Sequence, residues 1–107
     1  MLYKGRYTVR VEYGSSFPNA MPECFLEDSG LRFKNGTRVS EMGCSHEYHL
    51  LAPSDGRAQI CHGRSSAWRP NNSLASVFVK AFMWLEAYEN HLKTGHSLDQ
   101  YLKTQAS

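Results

Sequence analysis

The sequence predicts an α+β domain in which an antiparallel sheet meander is followed by a long helix packed on it. Two observations carry that prediction. Near the start, Tyr7, Val9, Val11 and Tyr13 alternate with polar residues, the period of a half-buried strand. Near the end, Leu74, Val77, Phe78, Ala81, Leu85, Tyr88 and Leu92 recur at three- and four-residue steps, which gives a helix one apolar face. Strands first and helices last is the order of α+β domains.

The elements can be justified in turn. The first strand covers Tyr7 to Tyr13 and stops at Gly14-Ser15-Ser16. Phe17-Pro18-Asn19-Ala20-Met21-Pro22 is neither helix nor central strand, because its prolines lack an amide donor and hold their predecessors extended. A second strand fits Glu23 to Leu26, stopped by Asp28-Ser29-Gly30; Leu31 to Phe33 extends it or pairs with it before a turn at Asn35-Gly36. Thr37 to Ser45 reads as loop and Tyr48 to Leu51 as a short strand. Pro53-Ser54-Asp55-Gly56 is turn chemistry, and Arg57 to Cys61 is a last extended piece. Ser73 is the expected N-cap of the long helix, Gly95 its C′ residue, and Lys93 complements the dipole. Ser97 caps a short final helix through about Lys103.

The 107 residues support one domain over residues 1–107, with no repeat or linker. Twelve Lys+Arg against ten Asp+Glu give a net charge of +2, too small by itself to imply a nucleic-acid or membrane surface. No apolar run approaches the about 18 residues needed to span a bilayer, and Met1 to Arg6 lacks the layout of a secretion signal. Cys24, Cys44 and Cys61 form neither a zinc pattern nor a disulfide framework. Reduced thiols in a cytoplasm are therefore expected.

Cys61 has the most suggestive setting of the three. It ends a short strand just past a turn and is followed by His62-Gly63 rather than by more core. A thiol there can act as a nucleophile, with a nearby His or Arg favouring the thiolate; it can equally be a small buried hydrophobe. Cys24 lies inside a strand, and Cys44 lies in a loop between Gly43 and Ser45. His46 and His49 precede Cys61, and a thiol with a His elsewhere is the minimal signature of nucleophile and base. His46 and His49 have helical ligand spacing, but the local pattern is not helical and no supporting thiol or carboxylate is in step. No metal site is predicted. Trp68, beside Pro70 and just before a helix, is expected to pack as a lid over helix and sheet. Arg57, Arg64 and Arg69 cluster around Cys61 in sequence, as an acidic-partner surface or a solvated rim.

Taken in order, these pieces resemble the ubiquitin-conjugating enzyme family, and its bacterial members in particular. The strand Tyr7 to Tyr13 is followed by Phe17-Pro18 with Met21-Pro22, then by His49 and its neighbours. Gly56 with Ile60-Cys61 comes next, then Trp68-Arg69-Pro70, then Ser73-Leu74. Trp84-Leu85-Glu86-Ala87-Tyr88-Glu89 with Thr94-Gly95 also looks like the bacterial branch. The resemblance spans about residues 7 to 95.

The resemblance implies an acyl-carrier transferase with no cofactor. Cys61 would accept an acyl group from an activating enzyme as a thioester and pass it to an amine. His49, ahead of His46, would orient the site or supply the oxyanion donor, since His49-Leu50-Leu51 lacks the family's Asn. His62, Arg64 and Trp68 are the expected substrate-binding side chains. The resemblance would place an amphipathic helix ahead of the first strand. The sequence starts near that strand, so partner binding is expected to use another surface, or the chain is a piece of a longer one. Bacterial members occur in anti-phage defence operons (CBASS), where the glycine-ended C-terminus of a cyclic-oligonucleotide synthase is the group transferred; such a synthase is the partner the resemblance implies. Two other readings stand beside it. One is a non-catalytic adaptor of the same fold with an inert Cys61. The other is a Cys-His hydrolase, which needs a third group to orient the His.

Overall fold

The computed structural model describes residues 2–3, 7–28, 30–62, 68–69 and 73–106. Their alternation builds five strands: β1 (Leu2–Tyr3), β2 (Tyr7–Glu12), β3 (Glu23–Leu26), β4 (Leu50–Ser54) and β5 (Arg57–Ile60). The helices are α1 (Leu74–Thr94) and α2 (Leu98–Ala106), with one 3-10 turn at Val39–Glu41. The α+β class holds, with an antiparallel sheet followed by a helix packed on it. Among the described residues, no helix is long and apolar enough to cross a membrane.

The strand order is β1-β2-β3-β5-β4, with every pairing antiparallel. That corrects the predicted meander: β5 rather than β4 neighbours β3. The residues explain the order. Ile60 and Ala58 are buried and stand opposite Cys24 and Leu26 of β3. β4 carries Pro53, exposed and without an amide donor, so an edge suits it. The strand runs to Ser54, two residues into the predicted turn. Asp55 and Gly56 then reverse the chain with φ of 54° and 72°, the double left-handed geometry that a two-residue hairpin needs.

Between β3 and β4 the chain folds on itself. Leu31 to Phe33 pairs with the far side of the Asn35-Gly36 turn through an Arg32–Arg38 bridge, not with β3. The Phe33 amide donates to the Thr37 carbonyl at 2.8 Å. Phe33 is buried against the rings of Tyr48, Tyr88 and His91.

The inner sheet face meets α1 through Val9, Cys24, Leu26 and Ile60 against Val77, Ala81, Trp84, Leu85 and Tyr88. Full burial of Trp84 and Leu85 contributes on the order of 2 kcal/mol each. Both predicted caps form. Ser73 Oγ accepts from the Ser76 amide at 3.2 Å, and Gly95, with φ of 80°, donates its amide to the His91 carbonyl at 2.7 Å. One position of the helical face is corrected. Leu92 is exposed, and its neighbour His91 is buried at 3% exposure.

On the outer face, Phe25 is buried beneath the Arg57 guanidinium, 4.2 Å above its ring. Arg57 bonds Glu12 at 3.1 Å and Glu27 at 3.0 Å. The hydrogen bond from Arg57 holds the Glu27 carboxyl below the usual carboxylate range.

Candidate functional site

A cavity of about 620 Å³ opens at the end of the β4–β5 hairpin, between that hairpin, α1 and α2. Leu50 and Leu51 of β4, Met83 and Trp84 of α1, and Leu102 of α2 give it an apolar wall. Cys44 and Cys61 bring two thiols to it, and His46, His49, His62, Lys80 and Asp99 bring its ionisable groups.

Cys61 is placed by the sheet. It follows Ile60, the last residue of β5, and its amide donates to the His49 carbonyl at 2.9 Å, one step beyond the Leu50–Ile60 pair. It is half-buried and in no disulfide. Cys24 is fully buried, and desolvation pushes its thiol up to about 12, which makes it a core residue and no nucleophile. Cys44 is exposed on the loop side of the cavity.

The histidine loop is held from three directions. Ser45 and Leu50 exchange amide-to-carbonyl bonds of 2.9 Å each way and close residues 46–49 into a tight reversal. His49 completes it with φ of 52°, a left-handed conformation uncommon outside glycine. The Trp84 indole N–H donates to the Tyr48 carbonyl at 2.9 Å from α1. The Asp99 amide donates to the Glu47 carbonyl at 2.8 Å from α2. Locked in this way, the loop stacks the His46 and His49 rings with centroids 5.5 Å apart. Asp99 Oδ1 lies 2.8 Å from His49 Nε2 and 3.5 Å from His46 Nε2. His46 is largely exposed; His49 and Asp99 are about three-quarters covered, at 25% and 22% side-chain exposure.

Cys61, His49, His46 and His62 all line the cavity. His62 Nε2 donates to the Pro22 carbonyl at 2.8 Å, tying the segment after Cys61 to the proline turn. Trp68 does not line the cavity. Its indole donates to the Pro18 carbonyl at 2.7 Å and faces the Phe17 ring at 6.4 Å, so it secures the same proline turn while packing against the core. Arg64 and Pro70 lie outside the described residues.

Sequence reasoning missed Asp99 and Lys80. Asp99 sits in the first turn of a Ser97-capped helix, where an acidic residue ordinarily serves the helix dipole. Only the packing of α2 brings it to a histidine 50 residues earlier. Lys80 had a readable signal: it stands four residues before Trp84, on the same side of the helix. Among the described residues, no group of three or more His, Cys, Asp or Glu side chains is arranged to hold a metal ion. Comparison with protein-family models, with curated proteins and with solved structures finds no match to this chain.

Proposed function

We propose that this chain is an acyl-carrier transferase resembling ubiquitin-conjugating enzymes, with its thioester on Cys61. The Cys61 thiolate attacks the carbonyl of an acyl-adenylate presented by an activating enzyme and expels the nucleotide. The resulting thioester keeps enough driving force for aminolysis. An amine then attacks that carbonyl, the C–N bond forms, the C–S bond breaks, and Cys61 leaves as thiolate. The acyl group is the C-terminal glycine of a protein, and a cyclic-oligonucleotide synthase is the candidate that the sequence resemblance supplies.

One observation carries the reading. Cys61 is fixed by the sheet on the wall of a cavity that His49 also lines with a carboxylate beside it, the residue types that nucleophilic acyl chemistry uses. The test is incubation with an activating enzyme and a glycine-ended protein, followed by mass analysis. An adduct on Cys61 that thiol reductant removes is the expected result. No adduct with a verified partner, or an adduct confined to Cys44, sinks the proposal.

The same carboxylate favours a second reading, a Cys-His-Asp hydrolase. The fate of the thioester separates the two. Release of the free acid faster than the amide, at saturating amine, points to hydrolysis. An adaptor role requires Cys61→Ala to leave partner binding and cellular activity intact.

A further inference from the structure

Taking the acyl-transfer reading as its basis, we infer that Asp99 is a positioning residue: it commits His49 Nε2 as a hydrogen-bond donor and leaves Nδ1 as the site's proton acceptor. The role of His49 is thereby narrowed. It serves as a base toward the incoming amine and not as the donor to the oxyanion.

Which atoms can donate a proton and which can only accept one decides the His49 tautomer. An ionised carboxylate only accepts. With Asp99 Oδ1 at 2.8 Å, His49 Nε2 must carry the proton, so the neutral ring keeps its lone pair on Nδ1. His62 is bound by the same logic, because the Pro22 carbonyl at 2.8 Å also only accepts. Neither neutral ring beside Cys61 therefore retains an N–H for an oxyanion. The Cys61 amide and the Trp84 indole are committed as well, to the His49 and Tyr48 carbonyls. In the neutral ring His49 has a lone pair left on Nδ1 and no second N–H to donate.

Placement makes Asp99 more than an incidental neighbour. Leu98 beside it is fully buried, and the Asp99 backbone amide is bonded to the Glu47 carbonyl within the histidine loop. Backbone and side chain of one residue thus hold the loop and the ring together. Among the described residues lining the cavity with His49, the charged or titratable groups are His46, His62, Lys80, Cys44, Cys61 and Asp99. Asp99 is the one carboxylate in that set, and it is placed to receive the His49 Nε2–H.

The step balances. The neutral amine nitrogen attacks the Cys61 thioester carbonyl and forms the C–N bond. The proton it sheds passes to His49 Nδ1, the tetrahedral centre collapses, and the C–S electron pair leaves on sulfur. His49 then returns its proton to the thiolate or to solvent. Asp99 stays ionised and supports the transient imidazolium.

The test has two arms. Ring-15N spectra of the full chain, recorded well above the ordinary imidazole range of about 6.5, report the tautomer without any activity. The expected result is His49 as the Nε2–H form, and in Asp99→Ala a shift toward a tautomer mixture; an Nδ1–H form in the unmutated chain overturns the inference. In the second arm Cys61 is loaded by exchange with a synthetic glycine-ended peptide thioester and discharged onto free lysine. Asp99→Ala should lower the maximal discharge rate by about tenfold or more, with the apparent KM for lysine unchanged and Asp99→Glu recovering much of the rate. Wild-type discharge in Asp99→Ala, or a loss confined to KM, refutes the role. Failure of Cys61 to load would count against the transfer reading, while the tautomer arm would still decide the status of Asp99. Should Asp99→Ala not fold, the unmutated tautomer and Asp99→Glu carry the test.

Discussion

His91 offers a sharp test of how this fold is held. Its ring is 3% exposed near the end of α1, yet both nitrogens are used: the Lys34 amide donates to Nε2 at 3.0 Å, and Nδ1 donates to the His96 carbonyl at 2.8 Å. Replacing His91 by Leu keeps a side chain of similar size against Phe33 and Tyr48, whose ring centroids each lie 5.5 Å away. It strips the partner from one backbone N–H and one carbonyl. An orphaned buried group costs about 1–3 kcal/mol, and partial access of Lys34 and His96 to water lowers the sum to about 2–4 kcal/mol. In a domain of about 100 residues each kcal/mol moves Tm by about 4–8 °C, so a fall of roughly 8–32 °C is expected in a thermal scan. His96→Ala is the control: it keeps the backbone carbonyl, removes only an exposed ring, and should change stability by less than about 0.5 kcal/mol. A His91→Leu loss below about 1 kcal/mol, measured by urea unfolding, would refute the claim that these two bonds matter.

Three further outcomes are expected. Alkylation at mildly alkaline pH should label Cys44 and Cys61 and spare Cys24, whose thiol is pushed up to about 12 by burial; mass mapping that finds Cys24 labelled in the folded chain contradicts the packing. Gly95→Ala should cost about 1 kcal/mol in urea unfolding, because φ is 80° while the added methyl would make only an ordinary 3.5 Å contact with Lys34; a neutral or stabilising effect would argue against the left-handed cap. Glu27, lowered chiefly by its hydrogen bond from Arg57, stabilises the fold above the ordinary carboxylate pKa of about 4.3, and that contribution is lost as pH falls through its folded value. Across that acid window the unmutated chain should lose more stability than Glu27→Gln, modestly and less so in high salt, since Glu27 is partly exposed; parallel pH profiles would remove the ion pair from the account.

What could be read from the sequence was what local chemistry decides. The Ser73 and Gly95 caps, the alternating run from Tyr7 and the break at Phe17 to Pro22 depend on a few adjacent residues, and each stands where expected. Strand order does not work that way. Whether β4 or β5 lies beside β3 turns on which of them can face Cys24 and Leu26 with buried residues on its inner side, and nothing local states it. Leu92 and His91 exchanged places for a related reason. A hydrophobic pattern scores a histidine as polar, but a histidine whose two nitrogens both find backbone partners is as buriable as a leucine. At the site, Cys61 and His49 were legible because turn, strand end and imidazole lie within 13 residues of chain. Asp99 was not, because its contact with the His49 ring exists only once α2 is docked.

Stability and chemistry share one stretch of chain here. His91 bonds the His96 carbonyl, Gly95 closes α1 on the His91 carbonyl, and Ser97 Oγ accepts from the Gln100 amide as α2 begins. Leu98 is then fully buried, and Asp99 reaches both the Glu47 carbonyl and the His49 ring. From the end of α1 to the His49 ring the described links are therefore hydrogen bonds and a buried side chain. A lesion at His91, far from the thiol in sequence, should loosen α2 and release the carboxylate before it unfolds the sheet. His91→Leu would then slow discharge of a Cys61 thioester at temperatures where the sheet is still intact, and Asp99→Ala in that background would add little. Full additivity of the two substitutions in the discharge rate would show that α2 is held to the site by some other route.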